Sequence, residues 1–98
     1  MIGPGAQPPT GAVLELLTSA LRGHIELIIP VVERAARKLP QYYSLRDGGL
    51  VAVWSARKKL SATVDPGPDG AAAHAVELAY ALDFLCDRYE SLRPTAPA

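Results

Sequence analysis

The segment Leu21-Arg22-Gly23-His24-Ile25-Glu26-Leu27-Ile28-Ile29-Pro30 decides the fold. It lies within a run of residues that recur at steps of three and four, which is the spacing of one helix face. The members of this run are Leu14, Leu17, Leu21, His24, Ile28, Val32, Ala35 and Leu39. Neighbouring apolar positions widen the stripe to about half of the helix circumference. The pattern predicts a long first helix that contacts two neighbours, or one neighbour and a second copy of the chain.

Pro30 interrupts this helix pattern. Its nitrogen cannot donate a hydrogen bond to the carbonyl of Glu26, so the helix either kinks there or breaks and restarts. The apolar stripe keeps its phase from Leu21 to Ala35, which favours a kink within one helix.

Two shorter helices are expected after Pro40. The second runs from Ser44, which with Asp47 approximates a capping box, to Leu60, although Gly48 and Gly49 weaken its first turns. A loop rich in proline and glycine follows, and Asp69 is placed to cap the third helix. The apolar seam of the third helix comprises Ala75, Leu78, Leu82, Leu85, Tyr89 and Leu92. Short links between the helices predict an all-α, three-helix antiparallel up-down-up bundle.

The expected domain covers residues 10–93, with Thr10 as the first N-cap and flexible tails at 1–9 and 94–98. The second helix is too short to cover the first, so apolar side chains remain outside the bundle. Leu27, Tyr80 and Phe84 are the predicted interface residues for a homodimer or a small protein partner.

Charge and composition argue against several functions. Ten Lys plus Arg balance ten Asp plus Glu, and the basic clusters at residues 34–38 and 57–59 fall toward opposite ends of the bundle, which disfavours nucleic-acid binding. A single cysteine cannot form an intrachain disulfide, and the first residues lack the features of a signal peptide, so we expect a cytoplasmic protein. No apolar run approaches the ~20 residues of a membrane span.

Three segments carry a resemblance to a known family: residues 21–30, Ala56-Arg57-Lys58-Lys59-Leu60 and Leu85-Cys86-Asp87-Arg88-Tyr89-Glu90. In that order they resemble segments of a family of small actinobacterial proteins. The family is a domain-of-unknown-function family that carries the label natural product biosynthesis protein. This chain has Ser55 and Arg88 where the family pattern has a glutamate and a histidine. The resemblance implies an association with biosynthetic gene clusters, and it assigns neither a reaction nor site residues.

The residues that could carry chemistry are few. His24 lies at the edge of the apolar arc, where it is either a partly buried structural histidine or a functional one. His74 and Glu77 form half of a carboxylate–histidine metal motif, but the glutamates of the first helix lie on its outer sector, so no metal site is predicted. Cys86 is expected to be a small buried thiol.

Two functions remain open from the sequence. The first is a non-enzymatic helical interaction or accessory protein without a cofactor or catalytic residues. The second is a small-molecule-binding protein or enzyme of a biosynthetic pathway, with a ligand pocket around His24, Trp54 and Tyr89 and with His74 as a further candidate.

Overall fold

The computed structural model describes residues 11–41 and 43–93, which form three α-helices. They are α1 (Gly11–Arg37), α2 (Ser44–Ser61) and α3 (Gly70–Leu92), and each packs against the other two. The predicted all-α three-helix bundle is therefore confirmed. The predicted N-cap Thr10 and both predicted tails lie outside the described residues.

Contacts between helix ends give the directions of the helices. Glu33, late in α1, bonds Arg57 in α2, while Arg22, earlier in α1, bonds the last turn of α2. Lys59 at the end of α2 pairs with Glu77 near the start of α3. Consecutive helices are thus antiparallel, which is the up-down-up order.

α1 runs without interruption through Pro30. Pro30 has no N–H, so the carbonyl of Glu26 receives no hydrogen bond from it within the helix. Because Pro30 is exposed, this carbonyl lies near solvent. The alternative in which the chain breaks and restarts at Pro30 is therefore wrong.

The buried face of α1 is rotated from the expected stripe. Its buried residues are Ile25, Ile29, Val32 and Ala36, whereas Leu17 and His24 are exposed. At 100° per residue the centre of the buried face lies roughly 60° from the predicted one. The predicted arc does contain the core residues, and Leu21 and Ile28 pack against the core. Its centre was displaced toward Leu17 and His24 because α1 is apolar around so much of its circumference that spacing alone does not select one face.

A single hydrophobic core joins the three helices. Its members are Ile25, Ile29 and Val32 from α1, Ala52, Val53 and Ala56 from α2, and Leu78 and Leu85 from α3. The predicted α3 seam is confirmed, since Ala75, Leu78 and Leu85 are buried and its other three members are partly buried.

Gly49 lies where α2 contacts both α1 and α3. A Cβ built on Gly49 would lie 2.9 Å from Cδ1 of Leu92 in α3 and 3.0 Å from Cβ of Ala36 in α1. The Ala36 Cβ moves only with its helix backbone, so a side chain at position 49 would separate α1 from α2. The glycine that weakens the first turns of α2 is therefore required by packing.

Some local predictions do not hold. Ser44 is already helical and Tyr43 is the N-cap residue, so the predicted capping box is wrong. Asp69 occupies the N-cap position of α3, but its side chain makes no cap hydrogen bond. The prediction that Cys86 is buried is wrong, because Cys86 is exposed. It follows Leu85 by one residue, and a rotation of about 100° along the helix directs its side chain away from the core.

Glu33 connects α1 to α2 through an ion-pair network. Its Oε1 accepts a hydrogen bond from Nη2 of Arg57 at 3.1 Å, and its Oε2 accepts one from Nη2 of Arg37 at 3.3 Å. The hydrogen bond from Arg57, followed by that from Arg37, holds the pKa of the Glu33 carboxyl below its usual value near 4.5.

Among residues 11–41 and 43–93, none of the helices combines the length and hydropathy that a bilayer crossing requires.

Adjacent glycines in α2 provide a matched test of this packing. Gly49→Ala should lower the free energy of unfolding by about 1 kcal/mol, because overpacking outweighs the gain in helix propensity. Gly48→Ala should not lower it, because its nearest neighbour is the movable Nη1 of Arg88 at 3.3 Å. Urea unfolding followed by circular dichroism measures both, and equal effects of the two substitutions would contradict the close approach at Gly49.

The Glu33 network should stabilise the fold only at higher pH. Its lowered pKa means that the folded state favours the carboxylate, so the stabilisation is present above about pH 4.5 and is lost as pH falls through the lower folded pKa. Glu33→Gln should therefore cost on the order of 0.5 kcal/mol at neutral pH and little in acid. The control is Glu90→Gln, since Glu90 forms no ion pair within residues 11–41 and 43–93. A pH-independent difference between wild type and Glu33→Gln in urea unfolding contradicts this account.

Candidate functional site

The three predicted ligand-binding residues lie at separate places. His24 is exposed on α1, where it borders a shallow depression. Trp54 is 61% exposed on α2, and the Nζ of Lys58 lies 4.6 Å from its ring centroid. Tyr89 is half-buried on α3 and packs against the core at a groove beside the C-terminal half of α1. The structure does not bring these residues together into one pocket.

His74 and Glu77 also have different surroundings. His74 is buried, whereas Glu77 is exposed and its Oε2 lies 3.6 Å from Nζ of Lys59. Among the residues that the structure describes, no cluster of three or more His, Cys, Asp or Glu side chains is close enough to hold a metal ion.

The basic cluster Arg57, Lys58 and Lys59 is divided among three contacts. Arg57 bonds Glu33 in α1, Lys58 lies over the ring of Trp54, and Lys59 pairs with Glu77 in α3. The three cations therefore leave α2 in different directions, and they do not form a continuous stripe that could follow a phosphate backbone.

The predicted interface residues occupy two surfaces. Tyr80 and Phe84 lie one turn apart on α3 and line a groove with Ser55 and Lys59 of α2. The guanidinium of Arg88 lies 5.1 Å from the ring centroid of Phe84 and covers part of it. Leu27 belongs to α1 and contributes to neither side of that groove.

The surface that carries Leu27 is apolar along most of α1. We call it the α1 outer face, and its members alternate steps of three and four: Val13, Leu16, Ala20, Gly23, Leu27, Pro30 and Arg34. Leu16 and Leu27 are 73% and 71% exposed. This spacing is that of a coiled-coil seam, and α2 and α3 leave Leu16 and Leu27 exposed on it.

Sequence reasoning identified only part of this face. It selected Leu27, but it overlooked Leu16 and assigned Leu17 to the buried stripe. The spacing of residues 13, 16, 20, 23 and 27 was a signal that could have identified the face. Because two apolar seams coexist on one helix, the packing partners of α1 had to be known before the seams could be told apart.

Comparison with known proteins places the whole helical region in one family. Comparison with curated proteins and with solved structures finds no match. A family model described as a family of unknown function (DUF6415) matches residues 1–94, which includes α1, α2 and α3. The chain therefore belongs to the DUF6415 family of unknown function.

Proposed function

We propose that this protein is a non-enzymatic helical interaction module that forms a homodimer through the α1 outer face. The observation that carries the proposal is the exposure of Leu16 and Leu27 on a seam with alternating three- and four-residue spacing. A second helix buries such a seam by inserting its own side chains between those of the first.

A second copy of α1 suits this face in the antiparallel orientation. Gly23 is the middle member of the seam, so a two-fold axis beside it places Leu27 opposite Ala20 of the partner subunit, and the reverse. Large side chains then meet small ones in two symmetric places. Ala20 and Gly23 allow the helix axes to approach closely, because interaxial distance depends on the side chains at the contact.

The size of the face limits the strength of the dimer. From residue 13 to residue 34 the seam is about 31 Å long, and a helix is about 10 Å wide. This area is smaller than the ~800 Å² per partner of a typical stable interface. We therefore expect a dimer dissociation constant in the micromolar range. At such an affinity another amphipathic helix could replace the second copy on the same face.

The Tyr80–Phe84 groove fits a dimer seam less well. The Lys59–Glu77 ion pair borders it, and Arg88 covers part of Phe84. A partner at this groove would either have to displace these charged side chains or bury them in the interface. The centre of the α1 outer face carries no charged member.

An association with natural product biosynthesis is part of the proposal and is supported only by the resemblance of the three segments quoted above. Genes for biosynthetic enzymes beside the gene for this protein would support it. A consistent absence of such genes beside those of other family members would contradict it.

Leu27→Lys should weaken the dimer by about tenfold or more, because a symmetric interface loses two buried leucines and gains two charges. The matched control is Tyr80→Lys, since Tyr80 is 72% exposed but lies on the other surface. Sedimentation velocity across micromolar concentrations measures the dissociation constants, and Leu16→Lys provides a second variant on the same face. The proposal fails if the wild-type protein is monomeric at high micromolar concentration, or if Tyr80→Lys dissociates the dimer and Leu27→Lys does not.

A further inference from the structure

The N-terminal half of α1 forms one wall of a solvent-open cavity of about 540 Å³, in which His74 is the buried member of the lining. α3 and the loop between α2 and α3 form the other walls. Its principal lining residues are Leu14, Thr18 and Arg22 of α1, Val64 of the loop, and Ala71 and His74 of α3. This volume lies in the range of small-molecule pockets.

Gly70 holds the loop wall of this cavity in place. A side chain at Gly70 would collide with the backbone carbonyl of Asp65, so the loop crosses the first turn of α3 in direct contact. The amide N–H of Gly70 also donates to the carbonyl of Gly67 at 3.1 Å. The wall that contains Val64 is therefore fixed against α3 by the fold.

His74 is the strongest indication that the cavity has a ligand. It is only 7% exposed and lines the cavity, and no hydrogen bond joins its imidazole to any residue in 11–41 or 43–93. Its ring nitrogens are not among the buried atoms that lack a partner, so they are open to the solvent of the cavity and can bond a molecule that enters it. An imidazole offers a donor and an acceptor, or two donors when charged, to a molecule in the cavity.

Two further groups give the cavity positive character. Arg22 is partly buried, and its Nη2 donates to the carbonyl of Leu60 at 2.7 Å, which orients the guanidinium and leaves other N–H donors available. Ala71 lies in the first turn of α3, where helix N–H groups lack intrahelical acceptors and the helix dipole is positive. The side chain of Asp69 makes no cap hydrogen bond to this turn. The loop covers the turn at Gly70, where Asp65 lies against it, so Ala71 is the residue of the first turn that faces the cavity and can offer its N–H to an anion.

The remaining lining residues select the kind of anion. Leu14 and Val64 present apolar surface, and Thr18 adds a hydroxyl group. Glu15 also lines the cavity from an exposed position, and its carboxylate repels a doubly charged phosphate more strongly than a monoanion. The lining thus matches a single negative charge attached to an apolar group.

We propose that this cavity binds a small organic carboxylate with an apolar body. The carboxylate meets the guanidinium of Arg22 and the N-terminus of α3 beside His74, and the apolar body contacts Leu14 and Val64. This site is separate from the α1 outer face, and its ligand does not depend on dimerisation.

The site can be tested by titrating the whole chain with three probes and following its amide chemical shifts by NMR. Probe concentrations up to about 10 mM detect weak ligands. Benzoate should shift the amide signals of Thr18, Ala71 and His74. Benzamide, which has the same shape without the charge, and inorganic phosphate should shift them much less. The proposal fails if benzoate leaves these signals unchanged, if benzamide binds equally well, or if phosphate binds more tightly than benzoate.

Substitutions identify the groups that hold the carboxylate. Arg22→Gln should weaken benzoate binding by about tenfold, because a charge-assisted hydrogen bond is lost. Arg93→Gln is the control, since Arg93 is an exposed arginine at the end of α3 that lies outside both this cavity and the α1 outer face. His74→Leu retains apolar bulk and should also weaken binding. Unchanged affinity in Arg22→Gln, or equal loss in Arg93→Gln, overturns the assignment, and the benzoate–benzamide comparison decides the matter in the wild-type protein if a variant does not fold.

Discussion

The close approach of three helices at Gly49 is the constraint on which the rest of the structure depends. With no side chain at position 49, Ala36 of α1 and Leu92 of α3 both reach the backbone of α2. Contact through Ala36 fixes the rotation of α1, because residues one and two turns earlier on the same face, Val32 and Ile29, must then point into the core. The same rotation turns Leu16 and Leu27 outward. The core and the exposed seam of α1 are thus two sides of one helix rotation, with which the close contact at Gly49 is consistent.

Polar contacts around the core hold the helices in register rather than supplying most of the stability. Glu33 joins α1 to Arg57 of α2, and Lys59 joins α2 to Glu77 of α3, both at partly exposed positions. Exposed pairs of this kind contribute at most about 1 kcal/mol each. Their larger effect is that Arg57 and Lys59 are engaged in ion pairs inside the protein, where they connect α2 to α1 and to α3.

The unequal lengths of the helices explain why α1 carries two candidate sites. α1 has 27 residues and α2 has 18, and Arg22 already meets the last turn of α2 through the carbonyl of Leu60. Residues of α1 before Arg22 therefore extend past the end of α2, where the loop and the start of α3 line the cavity that holds His74. On the opposite side, the α1 outer face has neither α2 nor α3 against it. One helix thus borders the proposed carboxylate site on one side and carries the proposed dimer face on the other.

The sequence by itself determined the number of helices, their order and the core seam of α3, because steps of three and four and the proline- and glycine-rich link are local signals. It also identified Leu27, Tyr80 and Phe84 as apolar residues on the surface. Tertiary structure alone decided which side of α1 is buried, since an arc that spans about half of a helix fits several rotations and the packing of α2 and α3 against α1, including the close contact at Gly49, selects one. It also decided that His24, Trp54 and Tyr89 lie apart, while His74, Arg22 and the start of α3 come together around one cavity. Arg22 precedes His74 by 52 residues in the chain, so no local spacing could have indicated that it lies beside the start of α3, and only the packing of α3 beside α1 brings it there.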